Sequence, residues 1–316
     1  MVSRDKLGEG AQRSDMVANF QIDGQPVRGR IARLGAESLD PILKRHDYPI
    51  ELARILGEAL ILASLVGSSL KFEGRLLIQA EGDGAVSMLV AEYATNGDLR
   101  GYARFDRDRW DKLESVTDSK RAAIPDLFGA KGVLGLIIVH ADPSMQPYQG
   151  VVPLSQPTLS GCASEYFERS EQVPSQLSLA VGQLTVTGTP AGWRGGGILM
   201  QRMAGDEARG DTQEAWSTAS TLFETLSDEE LIDPDLSPER LLYRLFHELG
   251  VRFEAPQEVR DACSCNEARL RSTLETMPDP ALRELVEPDG SLSINCQFCN
   301  RHYAIPIEDV TEAPDG

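Results

Sequence analysis

Residues 75–105 read RLLIQAEGDGAVSMLVAEYATNGDLRGYARF, three apolar-rich runs parted by Gly82-Asp83-Gly84 and by Asn96-Gly97. Those separators supply the positive φ that tight hairpins need, so the stretch predicts strands over Arg75–Glu81, Ala85–Ala94 and Leu99–Phe105 in an antiparallel meander. Upstream lies the longest apolar stretch, Ile50–Leu70, which carries Glu51, Arg54 and Glu58. A lipid-facing helix would not hold three charges there, so the stretch predicts a buried helix of a soluble core. Phe20–Ile22 and Val27–Ile31 are further candidate strands.

Downstream of the meander, Val133–His140 is a nearly continuous apolar run and reads as a strand buried on both faces. Leu177–Thr187 alternates as a half-exposed strand does. Gly161–Gln172 between them reads as a helix. Gly195-Gly196-Gly197 reads as a flexible turn feeding a strand at Ile198-Leu199-Met200. It has no Gly-Lys-Ser/Thr ending and no capped helix behind it, so the glycines point to a close backbone approach rather than a phosphate cradle.

The segment from Met203 to Asp211 turns small and polar and marks a boundary. Asp211 with Glu214 resembles a capping box, after which Trp216, Ala219, Leu222, Phe223 and Leu226 recur at helical spacing. Ser237 and Pro238 open a second helix with a stripe of Leu241, Leu242, Leu245, Phe246 and Leu249, stopped by Gly250. Two amphipathic helices separated by Asp228-Glu229-Glu230 cannot own a core, so their stripes must dock on a neighbouring unit. Beyond them the sequence predicts one helical segment near Glu267–Met277 and a short hairpin around Asp289-Gly290 and Asn300-Arg301. The expected fold class is α+β: a mixed α/β core with an antiparallel meander (16–206), a helical linker (207–250) and a small C-terminal metal-binding unit (251–310).

The formal net charge of −18 is uneven: residues 207–316 hold 24 acidic side chains against 9 basic ones, while residues 1–206 are nearly balanced. That acidity repels a phosphate backbone, so nucleic acid is not an expected partner. The opening MVSRDKLGEGAQRSD shows no secretory pattern. Neither a membrane segment nor an export tag is expected, and the location expected is cytoplasmic.

Of five cysteines, four form two close pairs, Cys263-Ser264-Cys265 and Cys296-Gln297-Phe298-Cys299. Clustered thiols in a reducing compartment bind metal or do redox work. Two short-spaced pairs deliver four soft ligands to the tetrahedral corners that one zinc ion per chain wants. Cys-x-Cys is a short half-site, and each pair lies close enough to close on itself as a reversible disulfide. A unit of about sixty residues this acidic needs such a staple. If it is lost, a linker docked beside it loses part of its seat and uncovers Trp216, Phe223, Leu241, Leu245 and Phe246. His302 is expected outside the ligand set, Cys162 as a buried small residue, and His46, His140 and His247 show no catalytic spacing. Cys265-x-Glu267 with Cys296-x-x-Cys299 superficially mimics a nucleobase deaminase, but Cys263 fills the corner that catalysis leaves open and Asn295 stands where that signature has proline. A constitutive zinc ribbon that binds RNA or a protein is the other alternative. The local acidity and the lack of interleaved basic and aromatic residues count against RNA.

The two cysteine pairs match, in type, order and separation, the C-terminal signature of the redox-regulated thirty-three-kilodalton heat-shock chaperonin family (HslO). Tyr166-Phe167-x-x-Ser170-Glu171-Gln172 and Gly195-Gly196-Gly197-Ile198-Leu199-Met200-Gln201 resemble that family's N-terminal motifs, and the likeness spans nearly the whole chain. The resemblance implies a non-enzymatic, ATP-independent holdase with an N-terminal substrate-binding domain and a metastable linker. It also implies an inactive reduced zinc form, and an active form with disulfides Cys263 to Cys265 and Cys296 to Cys299. Dimerisation on activation and unfolding proteins as clients come from the same likeness. It transfers no role to residues 1–15 or 307–316.

Overall fold

The structure is a computed structural model that describes residues 15–116, 122–185, 191–203 and 212–311. It divides into two compact units after Asp261. The strands of the first are β1 (Met16–Ile22), β2 (Val27–Leu34), β3 (Gly74–Glu81), β4 (Val86–Ala94), β5 (Asp98–Phe105), β6 (Val133–His140), β7 (Tyr148–Pro153), β8 (Ser175–Leu184), β9 (Gly192–Arg202), β10 (Val251–Phe253), β11 (Gln257–Glu258) and β12 (Arg260–Asp261). They form two sheets. One runs β10-β1-β2-β9-β8, with β11 also on β1; the other runs β12-β5-β4-β3-β6-β7. Every pairing is antiparallel except β12 with β5. The mixed α/β architecture with antiparallel sheets and the β3–β4–β5 meander are those the sequence predicts.

The helix Ile50–Gly67 organises this unit. It packs against strands of both sheets, and Leu52, Ile55, Leu56, Leu60, Ile61, Leu62 and Leu65 are all buried. Its charges neutralise one another locally: Arg54 bonds Glu51 at 2.7 Å and also pairs with Glu58, so no lone charge enters the core. No helix among the described residues is long and apolar enough to cross a membrane.

The glycine triplet is not a turn. Gly195, Gly196 and Gly197 lie inside β9, hydrogen bonded between β2 and β8. The close approach is real and two-sided. A Cβ on Gly195 or Gly197 would stand 2.7 Å from Ile61 of the central helix, and one on Gly196 would stand 2.2 Å from the carbonyl oxygen of Leu231. Glycine here serves packing on both faces of a central strand, a role the local sequence does not distinguish from a turn.

Three other expectations change. β6 is not buried on both faces along its length: Leu134, Gly135 and Leu136 are buried, whereas Val133 is exposed and Ile137 to His140 are half-buried. The helix expected over Gly161–Gln172 is an α-helix at Leu159–Tyr166 that widens to a π turn at Phe167–Glu171 and ends on Gln172 at φ +54°. Asp228-Glu229-Glu230 is no spacer: it begins a short helix, Asp228–Ile232, closed by a reciprocal capping box between Ser227 and Glu230. Asp211 and most of the boundary at 203–211 lie outside the described residues.

The linker helices Thr212–Phe223, Asp228–Ile232 and Pro238–Phe246 lie on the face of the first sheet away from the central helix. Phe20, Ile22, Ile31, Ile198 and Met200 of the sheet meet Phe223, Leu231, Leu241, Leu242, Leu245 and Phe246 of the helices. The rings of Phe20 and Phe246 stack at 5.9 Å. Ser237 caps the last helix by accepting from the Arg240 amide, with Pro238 at its first turn. Residues 251–261, expected to open the C-terminal unit, instead pair with β1 and β5. Val259 is fully buried, and Arg45 pairs with Asp261. The second compact unit therefore starts at Ala262.

Replacing Gly197 by Val forces atoms against Ile61 and Leu179. The expected cost is about 1–3 kcal/mol of overpacking, seen as a lower urea midpoint. An unchanged midpoint would contradict the two-sided packing of β9.

Candidate metal centre

Beyond Asp261 the chain builds a small unit whose buried core is Leu274, Leu282, Leu292, Ile305 and Val310. Its helix Glu267–Leu274 is capped by Asn266, whose side chain accepts from the Arg269 amide. A hairpin follows, with β13 (Ser291–Asn295) antiparallel to β14 (His302–Pro306). The connection between them holds the second cysteine pair. The Cys296 amide donates to the Arg301 carbonyl at 2.9 Å, the Asn300 amide donates to the Cys296 carbonyl at 2.8 Å, and Asn300 takes φ +57°. Asparagine tolerates this left-handed conformation better than most residues, which lets the turn fold Cys296 and Cys299 together.

The first pair, just before Asn266, meets them. The Sγ atoms of Cys263, Cys265, Cys296 and Cys299 all lie within 4.8 Å of one another. Cys263 and Cys296 are 3.8 Å apart, Cys265 and Cys299 3.3 Å. Tetrahedral zinc with Zn–S bonds of about 2.3 Å sets its sulfurs about 3.8 Å apart, so the arrangement fits a four-sulfur site for zinc. All four cysteines are half-buried, within reach of small oxidants.

Tyr303 completes the local chemistry. Its hydroxyl lies 3.2 Å from Cys265 Sγ. Burial works to raise the Cys265 thiol, but hydrogen bonds from Tyr303 and from the other three cysteines outweigh it and bring the pKa down to about 7. Cys299 moves the other way, pushed up to about 12 by burial and then by the neighbouring sulfurs. Cys265 and Cys299 are thus unequal, with Cys265 the readier of the two to ionise. Tyr303 was legible only through alternation: one step along β14 from His302, it belongs to the opposite face of the strand. His302 bonds Asn295 at 3.1 Å and is not among the four converging groups.

The remaining singled-out residues do not join this cluster. Cys162 is buried in the first unit, where desolvation raises its thiol pKa. His140 stacks on Phe72 at 4.4 Å, while His46 and His247 lie against Tyr48 and Tyr243. In the N-terminal motif Tyr166 and Phe167 are buried. The Tyr166 hydroxyl donates to Glu171 at 3.1 Å and ties off the π turn, whereas Ser170, Glu171 and Gln172 are exposed. The linker positions Phe223, Leu241, Leu245 and Phe246 are buried against the first sheet, with Trp216 partly so.

The sequence profile of the family described as Hsp33 protein matches residues 15–306. The chain belongs to the Hsp33 family. A relative from Caulobacter vibrioides named 33 kDa chaperonin is 48% identical over 295 residues, covering 92% of this chain and 94% of that protein. A 33 kDa chaperonin from Escherichia coli is 33% identical over 301 residues, covering 94% of each. The crystal structure of the Thermotoga maritima Hsp33 homologue superimposes with a TM-score of 0.74 at 22% identity, over 94% of this chain and 97% of that one, a likeness of fold. Within this Hsp33-family chain both cysteine pairs fall inside the matched span.

In the reduced, metal-free protein, Tyr303→Phe removes a donor from the Cys265 thiolate. The pH midpoint for alkylation of the Cys265 peptide is expected to rise from about 7 toward an ordinary thiol's value of about 8.5. An unmoved midpoint would show that the hydroxyl does not act on that sulfur.

Proposed function

We propose that this protein is a redox-regulated, ATP-independent holdase of the cytoplasm that is inactive while reduced and zinc-loaded. The observation that carries the reading is the convergence of four sulfurs within 4.8 Å in a unit whose buried core is five side chains. So small a core supplies only a few kcal/mol. Zinc, when bound, supplies the positive charge that keeps the four sulfurs as thiolates, and a staple of order 10 kcal/mol for the unit that presents them.

Oxidation acts on the same atoms. Cys263 with Cys265, and Cys296 with Cys299, each a pair of thiolates, give up two electrons per pair to a hydrogen peroxide, which takes two protons from solvent and leaves as two waters while the S–S bond forms. With both disulfides made, no thiolate remains to serve as a ligand, and the small unit loses more stability than its core contributes. The reading continues with release of the linker, which exposes Trp216, Phe223, Leu241, Leu245 and Phe246 to unfolding client proteins. Homodimerisation on activation belongs to the same proposal. The acidity of residues 207–316 keeps the opened form soluble. Cys263 takes the corner that a catalytic zinc keeps open for water, which favours a binding protein over an enzyme. Neither nucleic acid nor membrane is part of the proposal.

Zinc release and suppression of aggregation of a chemically unfolded client are to be followed together, before and after peroxide with mild heat and again after reduction with zinc restored. About one zinc per chain should leave as holding appears, and both should reverse. Retention of zinc, or its loss without holding, sinks the proposal. Cys296→Ser should weaken zinc binding by more than about 100-fold, beyond the effect of losing an outer hydrogen bond, and partly unmask holding without oxidant. Unchanged zinc affinity would refute the four-thiolate site.

A further inference from the structure

Arg33 lies on β2 directly across from Gly196 of β9, and its side chain ends not on a carboxylate but on the backbone of the linker. One terminal nitrogen donates to the carbonyls of Leu231 and of Asp233, the latter at 3.3 Å. The other donates to the carbonyls of Glu230 at 2.8 Å and Leu236 at 3.1 Å. These are the carbonyls at and just beyond the C-terminus of the helix Asp228–Ile232, the groups a helix end leaves without partners. Burial, and then the nearby Arg194, lowers the guanidinium to about 10, so it stays charged at neutral pH.

Gly196 makes the contact possible. A Cβ there would stand 2.2 Å from the Leu231 carbonyl oxygen and 3.1 Å from Arg33 Cδ. The missing side chain is the slot through which the helix end reaches the guanidinium. At its other end the same helix is held by the Ser227–Glu230 capping box, with Arg244 bonded to Glu230 at 2.6 Å. Leu231, between the two, is completely buried.

We propose that Arg33 and Gly196 form the latch that holds the linker on the first sheet, by reading the backbone of one folded helix end rather than any side chain. A planar fork of donors suits four carbonyls fixed in space, which a lysine's point charge does not. The four carbonyls converge only while residues 228–236 keep this conformation, so the latch lets go when that segment unwinds. Buried carbonyls left without a donor then favour complete release over partial loosening. As a control on the linker, the latch rests on the redox reading above.

The test uses the full-length, reduced, zinc-loaded protein and hydrogen exchange by mass spectrometry. In Arg33→Met, amides of residues 228–237 should exchange about tenfold faster or more, as expected for lost hydrogen bonds to a charged donor. Amides of β2, β9 and residues 262–311 should be unchanged, with one zinc retained. Gly196→Ala, which leaves Arg33 in place, should loosen the same residues, and Arg33→Lys should fall between Met and the parent. Unchanged exchange at 228–237 in both Arg33→Met and Gly196→Ala overturns the latch, as does a rise spread equally over β1, β2 and β9. If 228–237 loosen as expected but the reduced variants hold no unfolded client, the latch stands and the redox reading of the linker is what fails.

Discussion

Four sulfurs drawn to one point are the constraint on which the small C-terminal unit depends. Leu274, Leu282, Leu292, Ile305 and Val310 close a core too thin to hold the helices Glu267–Leu274, Asp279–Glu284 and Glu308–Thr311 and a hairpin by themselves. The chain spends its turn geometry on bringing the cysteines together: Asn300 is left-handed, and the Cys296 amide and carbonyl are both bonded across the turn. On the proposed function, a unit built this way ties its stability to the protonation and oxidation state of the four sulfurs. Within it Cys265 and Cys299 differ, and the thiol whose pKa is lowered is the one beside the Tyr303 hydroxyl.

The first unit has the opposite character. A helix buried on every side between two sheets gives it a core that does not depend on any cysteine, since Cys162 contributes only as a small buried side chain. One face of one sheet is nevertheless apolar and covered by linker helices that own no core themselves. Phe20, Ile31, Ile198 and Met200 on one side, with Phe223, Leu241, Leu245 and Phe246 on the other, bury each other, so undocking exposes two sticky surfaces at once. Arg33 adds a polar lock to this apolar seat that costs nothing in charge pairing but requires a folded helix end.

The convergence of the four cysteines was legible in the sequence because its information is local: two short spacings and a chemistry that admits few alternatives. The meander was legible for the same reason, since Gly82-Asp83-Gly84 and Asn96-Gly97 state where the chain turns. What failed was information carried by tertiary neighbours. Gly195-Gly196-Gly197 looks like a turn until Ile61 on one side and the Leu231 carbonyl on the other show why no side chain fits. Residues 251–261 look continuous with the cysteine unit because nothing in Val251–Phe253 or Arg260–Asp261 announces that β1 and β5 are waiting for partners. Asp228–Ile232 was hidden by its charge, although Ser227 and Glu230 spelled its capping box. Tyr303 was hidden beside a more conspicuous His302.

The most direct test of the central claim is hydrogen exchange across the whole chain, reduced with zinc and then after peroxide has closed both cysteine pairs. The account predicts that residues 262–311 lose protection, that residues 212–250 follow, and that β1–β9 keep theirs. Residues 262–311 remaining protected with both disulfides formed would contradict it.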